Sequence, residues 1–483
     1  MADLTFYWHD YETFGRVPRR DRPSQFAGIR TDAELNEIGA PLMQYCKPAP
    51  DFLPDPEACL LTGILPQTCL EQGLPEHEFA AAIEQELALP GTVGLGYNTI
   101  RFDDEVTRHL FWRNLIDPYA REWQNDCGRW DLLDVVRCCY ALRPDGLQWP
   151  RHDDGRPSFK LEHLSAANGL AHEAAHDALS DVRATIALAR LVRQSNPRLW
   201  DFCLKLRKKD AVLQEFGLGQ PRPVLHISGM YPVERGCLAV VWPIAQHPTN
   251  KNEIIVWDLA HDPAELQGLD AATLRLRLFS KPDELPEGVS RLPIKSVHIN
   301  KSPVVIGNLK VLSAERAAHW GLDVELALRH AERAAQLPAL PRQLWAEVYA
   351  RPASEQAPDV DEDLYGGFVG NEDRRLLNRL RGLNADKLAG QHPAFEDGRL
   401  DELLFRYRAR NFPDSLSAPE QQRWQQHCAE RLHLGEGRGE GGFSTLSAFF
   451  ERIDALSEEA DERGQAILGA LYDYAEQIAP PHP

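Results

Sequence analysis

LTFYWHDYETFG, Leu4 to Gly15, is the stretch on which the fold turns. Its front half, Leu4–Thr5–Phe6–Tyr7–Trp8, is short, apolar and aromatic, as a buried central strand is. The strand delivers Asp10 and Glu12 at i and i+2, a spacing that points both side chains to one face of an extended chain. Two acids at the end of a buried strand repel each other and lose hydration, a cost that a cation between them removes. Hard divalent cations such as Mg²⁺ take oxygen ligands of this kind. The pair points to metal-dependent phosphoryl transfer, although a lone D-x-E reads more simply as a strand-end turn with two solvated acids.

Composition narrows the class. At 483 residues the chain is long enough for two to four domains. Hydrophobic residues at 43% and charged residues at 26% are those of a soluble globular protein. The net charge of −19 and pI near 5.4 exclude a basic tail or a uniformly basic surface, but not a basic groove on an acidic body. The 9 cysteines form no C-x-x-C pair, which predicts reduced thiols in the cytoplasm and neither a zinc framework nor a disulfide scaffold. There is no basic region ahead of the first apolar stretch, which predicts no signal peptide, and no window approaches the length of a membrane span.

Residues 1–195 alternate strand-like and helix-like patterns, as an α/β domain with a mixed sheet does. Strands are expected at Leu4–Trp8, Gln25–Thr31, Leu42–Cys46 and Thr92–Tyr97, and helices at Glu76–Leu89, Glu105–Arg113 and from near His176 to Arg193. Over 198–348, short β runs at Leu225–Ile227, Cys237–Trp242, Glu253–Trp257 and Val304–Ile306 predict a smaller β-rich domain. Helical stretches interrupt it at Ala271–Phe279 and Ala314–Leu337. The Pro- and acid-rich Arg351–Asp361 reads as a linker. Residues 351–483 then carry helical patterns at 371–382, 399–407, 418–433 and 445–478, with a flexible loop at Leu434–Gly442.

Two further constellations follow the first. Asn98–Asp104 (NTIRFDD) comes straight after a strand and places Asp103 at a helix start, where a lone Asp is more often a cap. His176–Asp181 (HDALSD) opens the next helix, where alone the histidine would cap or pack and Asp181 would be solvated. Together, D-x-E-T, N-x-x-x-F-D and H-x-A-x-x-D in this order resemble the DEDD exonuclease superfamily in its histidine subgroup, at Asp10, Glu12, Asp103, His176 and Asp181. HDYETFG, DRPSQFAGIRTD (21–32), GYNTIRFDDEVTRHLFWRN (96–114), RWDLLDVVRCCYALRPDG (129–146), HINKSPV (298–304) and LLFRYRARNFP (403–413) resemble the bacterial exodeoxyribonuclease I family, so the similarity covers nearly the whole chain.

That resemblance implies a ribonuclease H-like α/β nuclease domain, an SH3-like β-barrel domain with helical insertions, and an all-helical C-terminal domain, closing together around a DNA channel. It implies a 3′→5′ exonuclease of single-stranded DNA that acts in DNA repair and recombination, as a cytoplasmic monomer. Two Mg²⁺ ions roughly 3.5–4 Å apart, with Mn²⁺ as a substitute, would serve the chemistry. By resemblance Asp10, Glu12 and Asp181 hold the ion nearest the nucleophile, Asp10 bridges to the second, Asp103 supports that one, and His176 is the general base. Glu12, Thr13 and Phe14 would meet the 3′-terminal nucleotide, and Arg108, Tyr119, Trp123, Arg137 and Lys160 match positions that contact DNA. Lys205–Lys209, the densest basic run, is a further candidate for the channel. The implied partner is the C-terminal tail of the single-stranded-DNA-binding protein, and Arg143 and Arg222 match basic positions of the pocket that would pair its carboxylate. An RNA or oligonucleotide 3′-exonuclease shares the motifs, but the long extension beyond residue 195 argues against it. A catalytically dead nucleic-acid-binding scaffold would most simply have lost an acid.

Overall fold

The first strand is longer than its apolar run. β1 covers Thr5–Thr13, so His9–Thr13 belong to the strand itself. The computed structural model describes residues 4–171, 177–217, 219–350, 358–435 and 444–481. β1 pairs antiparallel with β2 (Pro23–Thr31), which pairs with β3 (Glu37–Tyr45), and runs parallel to β4 (Thr92–Leu95). With the short β5 (Gly128–Arg129) the order is β3-β2-β1-β4-β5, the mixed sheet expected. Phe6, Tyr7, Trp8 and His9 are all buried, so both faces of β1 are covered.

The chain forms two compact units, residues 1–128, 172–183 and 354–483 in the first, and 129–171 with 184–353 in the second. In the first, α1 (Pro56–Thr62) and α2 (Pro66–Gln72) follow β3, each opened by a proline that costs the first turn no hydrogen bond. Hydrophobic periodicity does not reveal them. α3 (Glu76–Leu87) and α4 (Asp103–Arg113) send Phe79, Ile83, Val106 and Leu110 against Tyr7, Tyr11 and Phe26 of the sheet.

α5 (Leu132–Leu142), capped by Asp131, and α6 (Leu161–Ala167) belong to the second unit. α7 (Ala178–Ser195) opens in the first unit and is followed by α8 (Pro197–Lys205) and α9 (Lys209–Phe216). β6 (Val224–Ile227), β7 (Leu238–Gln246), β8 (Glu253–Asp258), β9 (Ile294–His298) and β10 (Val304–Ile306) form an antiparallel sheet, order β10-β6-β7-β8-β9, that curls into a half-barrel. Helices α10 (Ala271–Phe279), α11 (Ala314–His319), α12 (Val324–Gln336) and α13 (Arg342–Val348) complete the unit. The single helix expected over Ala314–Leu337 is two, because Gly321 adopts φ +63° and the Asp323 carboxylate caps a fresh start at Val324 by accepting the Leu326 N–H.

The C-terminal segment is helical, as expected: α14 (Asn371–Arg381), α15 (Ala385–Leu388), α16 (Arg399–Asn411), α17 (Ala418–Ala429), α18 (Leu446–Ser457) and α19 (Glu462–Ile478). It shares cores with the N-terminal segment. Phe449, Ile453, Leu468 and Leu471 pack with Phe14, Phe52 and Cys59, and Leu377, Leu400 and Leu403 pack with Trp112 and Leu115.

The expected linker Arg351–Asp361 lies outside the described residues up to 357, and its far end is no linker. Asp361 is 1% exposed. Arg410 pairs with Asp51 at 2.7 Å and Asp361 at 2.5 Å, Arg22 reaches Asp361 at 3.1 Å, and Arg406 meets Asp359 at 2.8 Å. Arg431 lies 3.6 Å from all three aspartates. Burial raises the Asp51 and Asp361 carboxyls, but the arginines, Arg410 foremost, hold both well below the usual carboxylate range. The loop expected at Leu434–Gly442 lies, beyond Gly435, outside the described residues.

Candidate active site

Strand alternation sets Asp10 and Glu12 on one face of β1 and His9 and Tyr11 on the other. A bulge between Glu12 and Thr13 then re-aims the chain as it leaves the sheet. Asp181, in the first turn of α7, comes down on the acidic face. One carboxylate oxygen from each of Asp10, Glu12 and Asp181 lies within 4.8 Å of the others.

Asp103 joins them from a third direction. It is the first residue of α4, 3% exposed, and its Oδ1 accepts the backbone N–H of Tyr11 at 3.1 Å. The carboxylate therefore faces β1. Its neighbour Asp104 turns away into a fully buried ion pair with Arg121, 2.6 Å.

The electrostatics are those of like charges crowded out of water. The Asp10 carboxyl is pushed well above its ordinary range, first by burial and then by Asp103, Glu12 and Asp181. Glu12 is pushed up to about 8, by burial and then by Asp181, Asp103 and Asp177. Asp177, which the motif reading passes over, thus adds to the field, and its carboxylate accepts the Ser180 N–H at 3.1 Å. A set of hard oxygens at this spacing, strained by its own repulsion, fits a divalent cation of the Mg²⁺ class. His176 lies outside the described residues.

The substrate candidates divide. Thr13 is 8% exposed, and its hydroxyl donates to Gly15 O at 2.6 Å. The Phe14 ring is 1% exposed, in the core with Phe52 and Phe449, and its backbone N–H and C=O bond Arg22 O and Asp55 N. Arg108 is 2.7 and 2.9 Å from the Glu122 carboxylate and 2.9 Å from Glu105, with its guanidinium 5.4 Å from the Tyr119 ring. Tyr119 and Trp123 line an apolar cavity of about 240 Å³ with Trp112 and Phe368, and Trp123 is 64% exposed. Phe368 is 89% exposed, 5.9 Å from Tyr119, and escapes motif reading; an aromatic set between the pair Gly366–Gly367 and Gly370 is the signal that could find it.

The remaining cations belong to the second unit. Arg137 pairs with Asp134 at 2.7 Å, and Lys160, just before α6, pairs with Glu162 at 3.2 Å on an exposed surface. In the basic run Lys205–Lys209, Leu206 is buried and Arg207 turns back to Leu204 O. Arg143 is exposed and donates to Leu142 O and Val311 O. Arg222 donates to Glu215 O at 2.7 Å and Gln214 O at 2.6 Å, so it caps the end of α9.

Family models match along the chain: an exonuclease domain over residues 7–189, the exonuclease I SH3-like domain over 207–351, and the exonuclease I C-terminal domain over 358–478. The exodeoxyribonuclease I of Escherichia coli (strain K12) is 44% identical over 98% of both chains, and that of Haemophilus influenzae 46% identical over 98% of both. Among solved structures, a moderately thermophilic exonuclease I from Methylocaldum szegediense superposes with a TM-score of 0.93 at 48% identity, over 98% of this chain and 99% of that one. The zinc-ion-bound form of an E. coli ExoI–ssDNA complex gives 0.91 at 43% identity, and an ExoI/SSB-Ct complex 0.90 at 42%, each over 99% of this chain and 100% of the other.

Proposed function

The chain belongs to the exodeoxyribonuclease I family of exonucleases, and from that premise we propose that it hydrolyses single-stranded DNA from the 3′ end in a Mg²⁺-dependent reaction, releasing 5′-mononucleotides. What carries the proposal is the meeting of the Asp10, Glu12 and Asp181 carboxylates within 4.8 Å. Divalent cations, when bound, would neutralise charge on the scissile phosphate and acidify the attacking water. Asp10, Glu12 and Asp181 would hold one ion, and Asp10 with Asp103 a second; Mn²⁺ would substitute. β1 holds two of these acids without loop freedom, and the Tyr11 N–H orients Asp103. By the family resemblance, His176 would take the proton of the attacking water, a task the imidazole side chain can perform near pH 7.

Trp123 and Tyr119, with Phe368, offer base-stacking surface, worth about 1–3 kcal/mol per base. Thr13 would meet the terminal nucleotide, and Arg137 and Lys160 would follow the phosphates. The exposed guanidinium of Arg143 suits the terminal carboxylate of a single-stranded-DNA-binding protein's tail, the kind of partner seen in the related SSB-Ct complex. Among the described residues no helix is long and apolar enough to cross a membrane. A cytoplasmic monomer serving DNA repair and recombination fits these parts.

The test is digestion of 3′- and 5′-labelled single strands and duplexes, DNA and RNA, in Mg²⁺ or EDTA. Asp10→Ala and Asp181→Ala should each abolish hydrolysis while single-strand binding persists. His176→Ala should slow turnover by roughly 10²–10⁴-fold and remove the acidic limb of the pH–rate profile. Near-normal turnover in either aspartate variant would show that these acids do not hold the catalytic ions.

A further inference from the structure

The carboxylates of Asp10, Glu12 and Asp181 meet from two different elements, β1 and α7, so something must hold α7 to the sheet at the depth where Asp181 meets Asp10 and Glu12. Gln25 is placed for this. It stands directly across from Glu12 in the β1–β2 register, on the same face, and is 2% exposed. Its Oε1 accepts the backbone N–H of Ala178, the first residue of α7, at 3.2 Å. That N–H is one of the first-turn donors that a helix cannot satisfy from within. The Gln25 amide nitrogen rests 3.7 Å from Met43 Sδ on β3. Asp181 lies in the turn that Ala178 opens, its N–H bonded to Asp177 O at 3.0 Å.

We propose that Gln25 is a positioning residue for the metal-binding carboxylates: it touches no ion and no substrate, but its bond to Ala178 fixes where Asp181 stands against Asp10 and Glu12. This rests on the metal-binding reading of the site given above. A neutral amide suits the position, because a carboxylate could accept the same bond only by adding charge beside Glu12. Outer residues that orient metal ligands typically change metal affinity by about 10–100-fold when removed.

Mn²⁺ binding to the full chain, followed by the electron-spin resonance of free Mn²⁺, tests this beside melting curves in EDTA. Gln25→Leu should weaken Mn²⁺ binding by at least tenfold and lower kcat on single-stranded DNA, with KM for DNA unchanged. Gln25→Glu keeps the acceptor oxygen and should bind Mn²⁺ at least as tightly as wild type. Ala178→Pro deletes the donor at a first helical position, where proline is tolerated. It should reproduce the loss, and the double variant should lose no more than either single one. Wild-type Mn²⁺ affinity in Gln25→Leu, or in Ala178→Pro should the former fail to fold, overturns the proposal; so do losses that add in the double variant. If the wild type itself takes up no Mn²⁺, the metal site is what fails.

Discussion

The backbone N–H of Tyr11 donates to the Asp103 carboxylate at 3.1 Å, so the strand that carries Asp10 and Glu12 also orients the acid that arrives from α4. Asp103→Asn retains an acceptor for this bond and removes only the charge. Its melting temperature in EDTA should be no lower than wild type, because repulsion with Asp10 and Glu12 is relieved, while turnover falls by at least 10²-fold. Asp103→Leu should lose the same activity and in addition about 1–3 kcal/mol of stability, because a buried N–H is left unpaired. Equal melting temperatures for the two variants would show the bond to be unimportant to the fold.

Stability of the metal-free protein should fall as pH rises from about 4.5 to about 8. Glu12 titrates near 8 in the folded chain, and Asp10 is raised too, whereas both ionise near 4 when unfolded. Across that window the folded state holds protons that the unfolded state has released, so the slope is negative. Glu12→Gln should therefore raise the melting point in EDTA over wild type, by more at about pH 8.5 than at about pH 5. Mg²⁺ should stabilise the wild type more at the higher pH. A difference between variant and wild type that does not grow with pH would rule out the raised carboxyl.

Arg143 and Arg222, alike in the sequence, should behave differently. Arg143→Ala should weaken binding of an acidic tail peptide at least tenfold, about 1.4 kcal/mol, by fluorescence anisotropy. Arg143 spends only Nη1 on backbone carbonyls, whereas Arg222 commits both Nε and Nη2 to those ending α9, so Arg222→Ala should chiefly lower stability. Unchanged peptide affinity in Arg143→Ala would remove it as the carboxylate partner.

Removing Asp361 should leave Arg22, Arg406 and Arg410 as excess buried charge. Asp361→Ala is expected to cost about 3–5 kcal/mol, read as an earlier first transition in urea. A midpoint within error of wild type would mean that Arg22, Arg406 and Arg410 find other counter-charges.

The central strand, the i, i+2 acids and the helix carrying Asp181 were legible because each is a local pattern with its own period. Asp103 over Asp104 was legible only through the motif; locally the two are equivalent, and a bond to Tyr11 and an ion pair with Arg121 separate them. Phe14 could not be read as core, because its packing partners Phe449 and Leu471 lie in the last helices. Asp359 and Asp361 look like linker acids for the same reason. Their counter-charges sit in Arg406 and Arg410, and composition over a short window cannot see them.

That arginine cluster also bears on how the protein is made. Asp51 is fully buried, and its partner Arg410 lies 359 residues further on. At about 5–20 residues per second, a ribosome takes roughly 20–70 s to cover that distance. Throughout that time the nascent nuclease segment carries Asp51, an acid that cannot be buried without its counter-charges. Its flank beside α1 and α2 must therefore stay open, available to chaperones and proteases, until α16 and then α18 and α19, which pack against it, have left the ribosome. The catalytic segment is thus completed last, although it is synthesised first.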